Sequence, residues 1–432
     1  MLSGSSLDTR DELTEVLLVF SAWVEIDLDA LGHNISEVRR LVGEELGVLF
    51  VVKADAYGHG AVEVSRVAVR SGVDLLGVAT LQEGIELRQA GIDAPILILS
   101  PPMESETPGI IEYDLSCTVP SLAIARALSR AAGSRGKSAT VHVEVDTGMG
   151  RSGVELSDAL PFITAVSKLP ELVLEGVFTH FPSSDDDPDF TRGQVERFLE
   201  VVDRLDAKGT HVPLVHAANS GAVLGVPESF EHPLNMVRPG LMIYGLRPSA
   251  GVGPEADLQP VMSFKARIAQ IRDLPSGHPV SYGRTYVAGE PMRVAVIPVG
   301  YGHGMSFRLS NRGEVLIRGR RAPIAGRVTM DVTMADVSSI PEAEVGDEVV
   351  IFGRQGEASI SVDEIASEVG TINYEVICGI GKRVARVYVR SGEPIGMRTL
   401  TERRVVGRRT WGGPGAREAV PNRRSEERSN DS

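Results

Sequence analysis

Leu49-Phe50-Val51-Val52-Lys53-Ala54-Asp55-Ala56-Tyr57-Gly58-His59-Gly60 passes from an unbroken apolar run into a polar stretch punctuated by glycine. Four apolar residues in a row, without alternation, suit a strand buried on both faces. Helical spacing follows at once, from Ala61 to Val69. The same unit then recurs. Further apolar runs stand at Leu75–Val78, Ile96–Leu99, Leu115–Val119, Val141–Val145, Leu174–Phe178, Leu214–Ala217 and Met236–Val237. Helical spacing returns at Leu81–Ala90, which Gly91 stops, and at Pro120–Ala132. Eight strand–helix repeats between Val48 and Tyr244 predict an α/β fold built on an N-terminal (β/α)8 TIM-type barrel.

The pattern changes near Leu258. Phe264–Ile268, Val294–Ile297 and Val315–Ile317 alternate, and glycine and proline become frequent between runs. Val349–Phe352 is apolar without alternating, after a turn at Gly346-Asp347. These features predict a mostly β C-terminal domain ending near Val389. From Ser391 to Ser432 periodicity is lost, and nine arginines stand against six acidic residues. The expectation there is a disordered, solvated Arg-rich tail rather than a tether for an anionic partner. The division is thus an N-terminal extension at 1–21, a barrel at 22–257, a β domain at 258–390 and a tail at 391–432.

Composition narrows the function. With 42% apolar and 24% charged residues, the 432-residue chain reads as a soluble globular protein. A formal charge of −14 argues against nucleic acid as partner. No stretch is long and apolar enough to read as a membrane span. The apolar patch Val16–Phe20 lacks a basic flank, so it does not read as a signal peptide. Two cysteines, Cys117 and Cys378, form no disulfide framework and suit a reducing cytoplasm. Neither they nor the nine histidines show metal-ligand spacing.

Barrels carry their chemistry at the C-terminal ends of the strands. Here those ends read Lys53 to Gly60, Asp146 to Arg151, Thr179-His180-Phe181, Asn219-Ser220-Gly221 and Arg238-Pro239-Gly240. Singly they say little. A lysine after a strand is ordinarily a solvated charge, a lone histidine is ordinarily structural, and Ser220 and Gly240 are turn residues. Together they say more. Loops after strands seven and eight are where barrels bind phosphate through backbone N–H groups and a helix start. A phosphate anchor facing a lysine on strand one points to a phosphorylated carbonyl cofactor held as a Schiff base.

At this point the stretch Val51 to Gly60 resembles the pyridoxal-phosphate lysine motif of bacterial alanine racemases, which are fold-type III pyridoxal-phosphate enzymes. Further matches follow in order: Asp146–Arg151, Thr179–Phe181, Asn219-Ser220, Val237–Gly240, Ser281–Gly283, Gly326–Asp331 and Thr371–Glu375. The resemblance spans Ala22 to Val389. It implies an isomerase that interconverts L- and D-alanine with pyridoxal 5'-phosphate, in the cytoplasm, supplying D-alanine for peptidoglycan. It also implies residue roles. Lys53 would hold the cofactor and act as one base. Tyr282, reaching in from the second subunit of a homodimer, would be the opposed base. Tyr57, Ser220, Gly240 and Tyr374 would bind the phosphate, and Asn219 would also contact the cofactor. Arg238 would face the pyridine nitrogen, with His180 linking it to Tyr282. Arg151 would steady the cofactor and the substrate carboxylate. Met330 and Asp331 would close the pocket from the partner subunit.

The physics of racemisation fits two bases. A proton must leave one face of the α-carbon and return on the other, so two opposed groups are simpler than one that swings. Some positions depart from the family pattern. Glu144 stands where the family often has a lysine near Arg151. His303 and Phe307 stand where an acid and an arginine are usual, with Arg308 next in line, and Thr329 replaces a common cysteine. Three other readings stay open. One is a serine or broad-specificity racemase. Another is a decarboxylase, against which Arg238 argues. The third is a non-catalytic pyridoxal-phosphate carrier, against which Tyr282 and the β domain argue.

Overall fold

The computed structural model describes residues 20–401 and 403–405. All eight expected barrel strands are present. In chain order they are Gly47–Val51, Leu75–Val78, Ile96–Ile98, Ser116–Thr118, Ala139–Asp146, Leu172–Phe178, Leu214–His216 and Met236–Val237. Every neighbouring pair is parallel. The eighth strand pairs with the first and the fourth with the fifth, so the barrel closes. Closure explains the unbroken apolar runs, since one strand face meets the barrel interior and the other meets the helix layer. Val48, Leu49 and Phe50 are fully buried. Each such side chain contributes about 1.5–3 kcal/mol relative to an exposed one.

The helices follow from local signals. Leu81–Gln89 begins at Thr80, whose hydroxyl caps the Glu83 N–H while Glu83 reaches back, a reciprocal capping box. Leu122–Gly133 starts at the cap Ser121. None of the helices among the described residues is long and apolar enough to cross a membrane.

The second domain is mostly β. Its main sheet runs in the order Arg320–Pro323, Glu314–Ile317, Glu348–Gln355, Met262–Arg267, Ala22–Asp27, Ala385–Arg390, Glu393–Arg398 and Arg403–Val405. A smaller sheet joins Gln270–Leu274, Met292–Ile297 and Thr333–Asp336. Two boundaries differ from the sequence expectation. Ala22–Asp27, expected with the barrel, pairs with Met262–Arg267 and Ala385–Arg390 in the β domain. Its apolar residues gave no sign of which sheet would recruit them. Glu393–Arg398, expected in the tail, is a strand paired antiparallel with Ala385–Arg390. The rest of the expected tail, apart from Ser391, Gly392, Thr399 to Thr401 and Arg403–Val405, lies outside the described residues, as does the N-terminal extension up to Val19.

Candidate active site

Lys53 follows the first barrel strand and opens a turn of unusual hand. Ala54, Asp55, Ala56 and Tyr57 have φ values of 52°, 56°, 52° and 53°. Left-handed backbone costs about 1–2 kcal/mol per non-glycine residue, so neighbours must hold this turn in place. Several do. Glu83 Oε1 accepts the Ala54 N–H at 2.7 Å. Asp55 accepts the Ala61 N–H at 2.9 Å and is gripped by Arg398. His59 Nδ1 lies 3.0 Å from both the Ala56 and Tyr57 carbonyls, and Arg386 Nε donates to Gly58 O at 3.2 Å. Gly58 and Gly60 are required. A Cβ on the first would strike the Ile377 carbonyl, and one on the second the Tyr388 hydroxyl. The turn presents Lys53 and Tyr57 to the same rim.

Burial, and then the Arg151 charge, lower the pKa of the Lys53 amine from its ordinary value. A larger fraction is therefore neutral, and so nucleophilic, than for a solvated lysine. Tyr57 and Tyr374 stand 6.0 Å apart between ring centroids. Burial first, then neighbouring groups, push the Tyr57 phenol far up and that of Tyr374 to about 12. Both are held protonated and are suited to donate rather than to abstract.

The seventh and eighth strands supply a cradle beside Tyr57. Ser220 Oγ accepts the N–H groups of Gly240 and Met242 at 2.9 and 3.3 Å. Asn219 caps the short helix Ser220–Gly225 through the Ala222 N–H at 3.0 Å, and its side-chain oxygen takes the Ser184 hydroxyl at 2.7 Å. A Cβ on Gly240 would stand 2.8 Å from the Tyr57 hydroxyl, so glycine keeps the cradle open.

Arg238 is buried, which lowers its pKa to about 10, and it remains protonated at neutral pH. Its Nη2 donates to the carbonyls of Thr179 and Ala217 at 2.7 and 3.0 Å and reaches His180 Nδ1 at 3.3 Å. Its Nη1 meets His216 Nδ1 at 3.0 Å. Arginine can only donate, which settles the tautomers. His180 and His216 accept at Nδ1 and carry their protons on Nε2. His216 Nε2 then donates to His142 Nδ1 at 3.0 Å, and His142 Nε2 donates to Glu175 at 2.9 Å. All three rings are held neutral, since burial and the nearby Arg238 charge lower their pKa values. A buried relay thus runs from Glu175 to the rim.

Among the expected site residues, Lys53, Tyr57, Arg151, His180, Asn219, Ser220, Arg238, Gly240 and Tyr374 gather at this rim. Tyr282, Met330 and Asp331 do not. They lie in the β domain, with Tyr282 72% and Met330 51% exposed, and the charged groups acting on Lys53 are Arg151 and Glu83. Asp331 pairs with Arg383 at 2.7 Å. The Tyr282 turn is built on Ser281 and Gly283, both at positive φ, and the Ser281 hydroxyl donates to Arg327 O at 2.7 Å.

The departures also find partners. Glu144 is buried and accepts the Ser152 hydroxyl at 2.6 Å. Arg308 donates to the Val369 carbonyl at 2.8 Å, and Arg327 stands over the Phe307 ring. His142, His216, Glu83 and Arg398 had gone unremarked in the sequence. Alternation in Val141–Val145 does put His142 and Glu144 on one face, a signal that could have been read.

A lysine after barrel strand one, facing hydroxyls and a short helix start at strands seven and eight, is the arrangement of the pyridoxal-phosphate barrel class. Comparison with known proteins names the family. Residues 26–248 match the model of the alanine racemase N-terminal domain, and residues 261–388 that of the C-terminal domain. "Alanine racemase 2" of Caldanaerobacter subterraneus subsp. tengcongensis is 45% identical over 372 residues, covering 86% of this chain and 95% of that protein. The alanine racemase of Halothermothrix orenii is 43% identical, over 85% of this chain and 96% of that protein. Among solved structures, the alanine racemase of Clostridium difficile 630 superposes with a TM-score of 0.84 at 37% identity, covering 88% of this chain and 99% of that one. That of Bacillus anthracis with bound L-Ala-P gives 0.82 at 35% identity, covering 88% and 98%. The chain belongs to the alanine racemase family. It is an isomerase, and the family's cofactor is pyridoxal 5'-phosphate.

Proposed function

We propose that this chain interconverts L- and D-alanine by a two-base mechanism, with Lys53 on one face of the substrate and Tyr282 of the partner subunit on the other. The single observation that carries this reading is the separation of the two groups. Lys53 is seated at the barrel rim among phenols held protonated, while Tyr282 stands exposed on the β domain. A second subunit that brings its β domain against the rim supplies the missing base and makes the active enzyme a homodimer.

The rim's donor set fits pyridoxal 5'-phosphate. The Ser220, Tyr57 and Tyr374 hydroxyls take the phosphate end, where Gly240 leaves room beside Tyr57, and Asn219 caps the helix start next to it. Arg238 faces the ring nitrogen, and Lys53 holds the aldehyde end. When bound, the cofactor supplies the conjugated system that spreads the negative charge left at the substrate's α-carbon. Arg238, protonated at neutral pH and locked to two backbone carbonyls, has no proton to yield to the ring. Arg151 takes the substrate carboxylate. Lys53 Nζ, freed by substrate, removes or returns the α-proton on its own face, and the Tyr282 hydroxyl of the partner subunit does so on the opposite face. Met330 and Asp331 of the partner subunit close the pocket over a small side chain. The L-Ala-P bound by the Bacillus anthracis relative is consistent with alanine as substrate. D-alanine made this way feeds peptidoglycan.

The test is racemisation by the purified protein together with borohydride fixation of cofactor to Lys53. D-alanine from L-alanine, lost in Lys53→Ala and strongly reduced in Tyr282→Phe, is the expected outcome. D-serine in place of D-alanine would move the substrate. Fixation without racemisation would leave a cofactor-binding protein only.

A further inference from the structure

We propose that Arg398 is a positioning residue for Lys53, acting through Asp55; this rests on the function proposed above. Arg398 ends the strand Glu393–Arg398, beyond residue 388, where the family match stops. Its backbone pairs with Arg386 across the hairpin, and its guanidinium takes both oxygens of Asp55, with Nη1 at 2.8 Å from Oδ1. A planar fork on a carboxylate fixes both position and angle.

Asp55 is the second of the four left-handed residues that follow Lys53. The other ties on this turn engage its backbone: Glu83 on the Ala54 N–H, His59 on two carbonyls, and Arg386 on the Gly58 carbonyl. Asp55 alone ties its own side chain to two elements at once, the Ala61 N–H at the start of the helix Ala61–Arg70 and the Arg398 strand. Burial works to raise the Asp55 pKa, yet Arg398 and the Ala61 N–H bring it below its ordinary value, so the carboxylate stays charged in the clamp. Both ends of the turn carry proposed site groups, Lys53 and Tyr57. A strand added after the matched β domain therefore braces the backbone that aims the cofactor lysine. Arg151, the residue of this chain proposed to bind the substrate carboxylate, has no hydrogen bond to Asp55 or Arg398 among the described residues.

The test reads covalent attachment rather than activity alone. The Lys53 amine and the aldehyde of pyridoxal 5'-phosphate condense with loss of one water, and borohydride then fixes the product for mass measurement. Apo-protein with Arg398→Ala is expected to attach cofactor about tenfold more slowly. In the reloaded enzyme kcat falls at least fivefold, with KM for L-alanine within twofold. Arg398→Lys keeps the charge but not the fork and recovers part of the rate. Asp55→Ala with Arg398→Ala is no slower than either single variant. Where Arg398→Ala does not fold, Asp55→Asn keeps the shape and the Ala61 contact and is expected to slow attachment several-fold. A lower Tm with unchanged attachment and kcat would overturn the proposal, as would losses that multiply in the double variant. An unaltered chain that attaches no cofactor at all would instead overturn the underlying function.

Discussion

The barrel rim and the β-domain surface treat their reactive groups in opposite ways. At the rim Arg238, Asn219 and Ser220 are tied by hydrogen bonds. Arg238 is bonded on both terminal nitrogens, three histidines have fixed tautomers, and two phenols are held protonated by burial. On the β domain Tyr282 stands 72% exposed on a turn with positive φ, and Met330 is exposed too. The rim is preorganised to hold a cofactor, whereas the β surface exposes the two groups proposed as opposed base and pocket wall. Burial fixes protonation states before any ligand arrives. Exposure leaves a group to be placed by whatever covers it, which is why the proposed reaction needs a second subunit.

The largest effect should come from Lys53→Ala, which removes both the proposed attachment point and one proposed base. Racemisation is expected to fall by at least about a thousandfold, read by D-alanine formation, with overall fold retained by circular dichroism. Tyr282→Phe should cost about 10²–10⁴-fold, the range for losing one positioned base. Mixing these two inactive variants tests whether an active site draws on both subunits. Shared sites predict that each hybrid dimer regains one intact site, about half the unaltered activity. If no activity returns although hybrids form by mass measurement, Tyr282 does not act across subunits.

His59 is buried and its pKa is lowered to about 4, chiefly by burial. The unfolded chain therefore binds a proton near pH 6.5 that the folded chain refuses. The stability at stake is intact above that pH and is lost as pH falls toward about 4. The loss attributable to His59 is about 2 kcal/mol at pH 5. Denaturant unfolding at pH 7 and pH 5 measures it, and His59→Asn should show a smaller difference between the two. His142, His180 and His216 act in the same direction. The smallest effect is that of Gly240→Ala. The added methyl would stand 2.8 Å from the Tyr57 hydroxyl and displace it from the cradle. Cofactor affinity should weaken about tenfold, equivalent to about 1.4 kcal/mol, with Tm of the apo-protein nearly unchanged. An unaltered affinity would remove Tyr57 and Gly240 from the cradle.

Much of this was written in one dimension. Eight apolar runs with helical spacing between them specify a closed parallel barrel, because only burial on both faces accommodates strands without a polar side. The strand ends named the rim residues, since a barrel puts its strand C-termini on one face. Other features had no local signal. Ala22–Asp27 is apolar enough for either domain, and pairing partners far along the chain decided which sheet took it. The left-handed turn after Lys53 is held by residues as distant as Glu83, Arg386 and Arg398. The histidine relay joins three strands whose residues meet only when the barrel closes. Sequence alone determined the periodicities, the reactive residue types and their place at the strand ends, because these depend on near neighbours. Tertiary structure decided which groups are buried, which tautomers they hold and which stand exposed, because desolvation and hydrogen bonding depend on partners that only folding brings together.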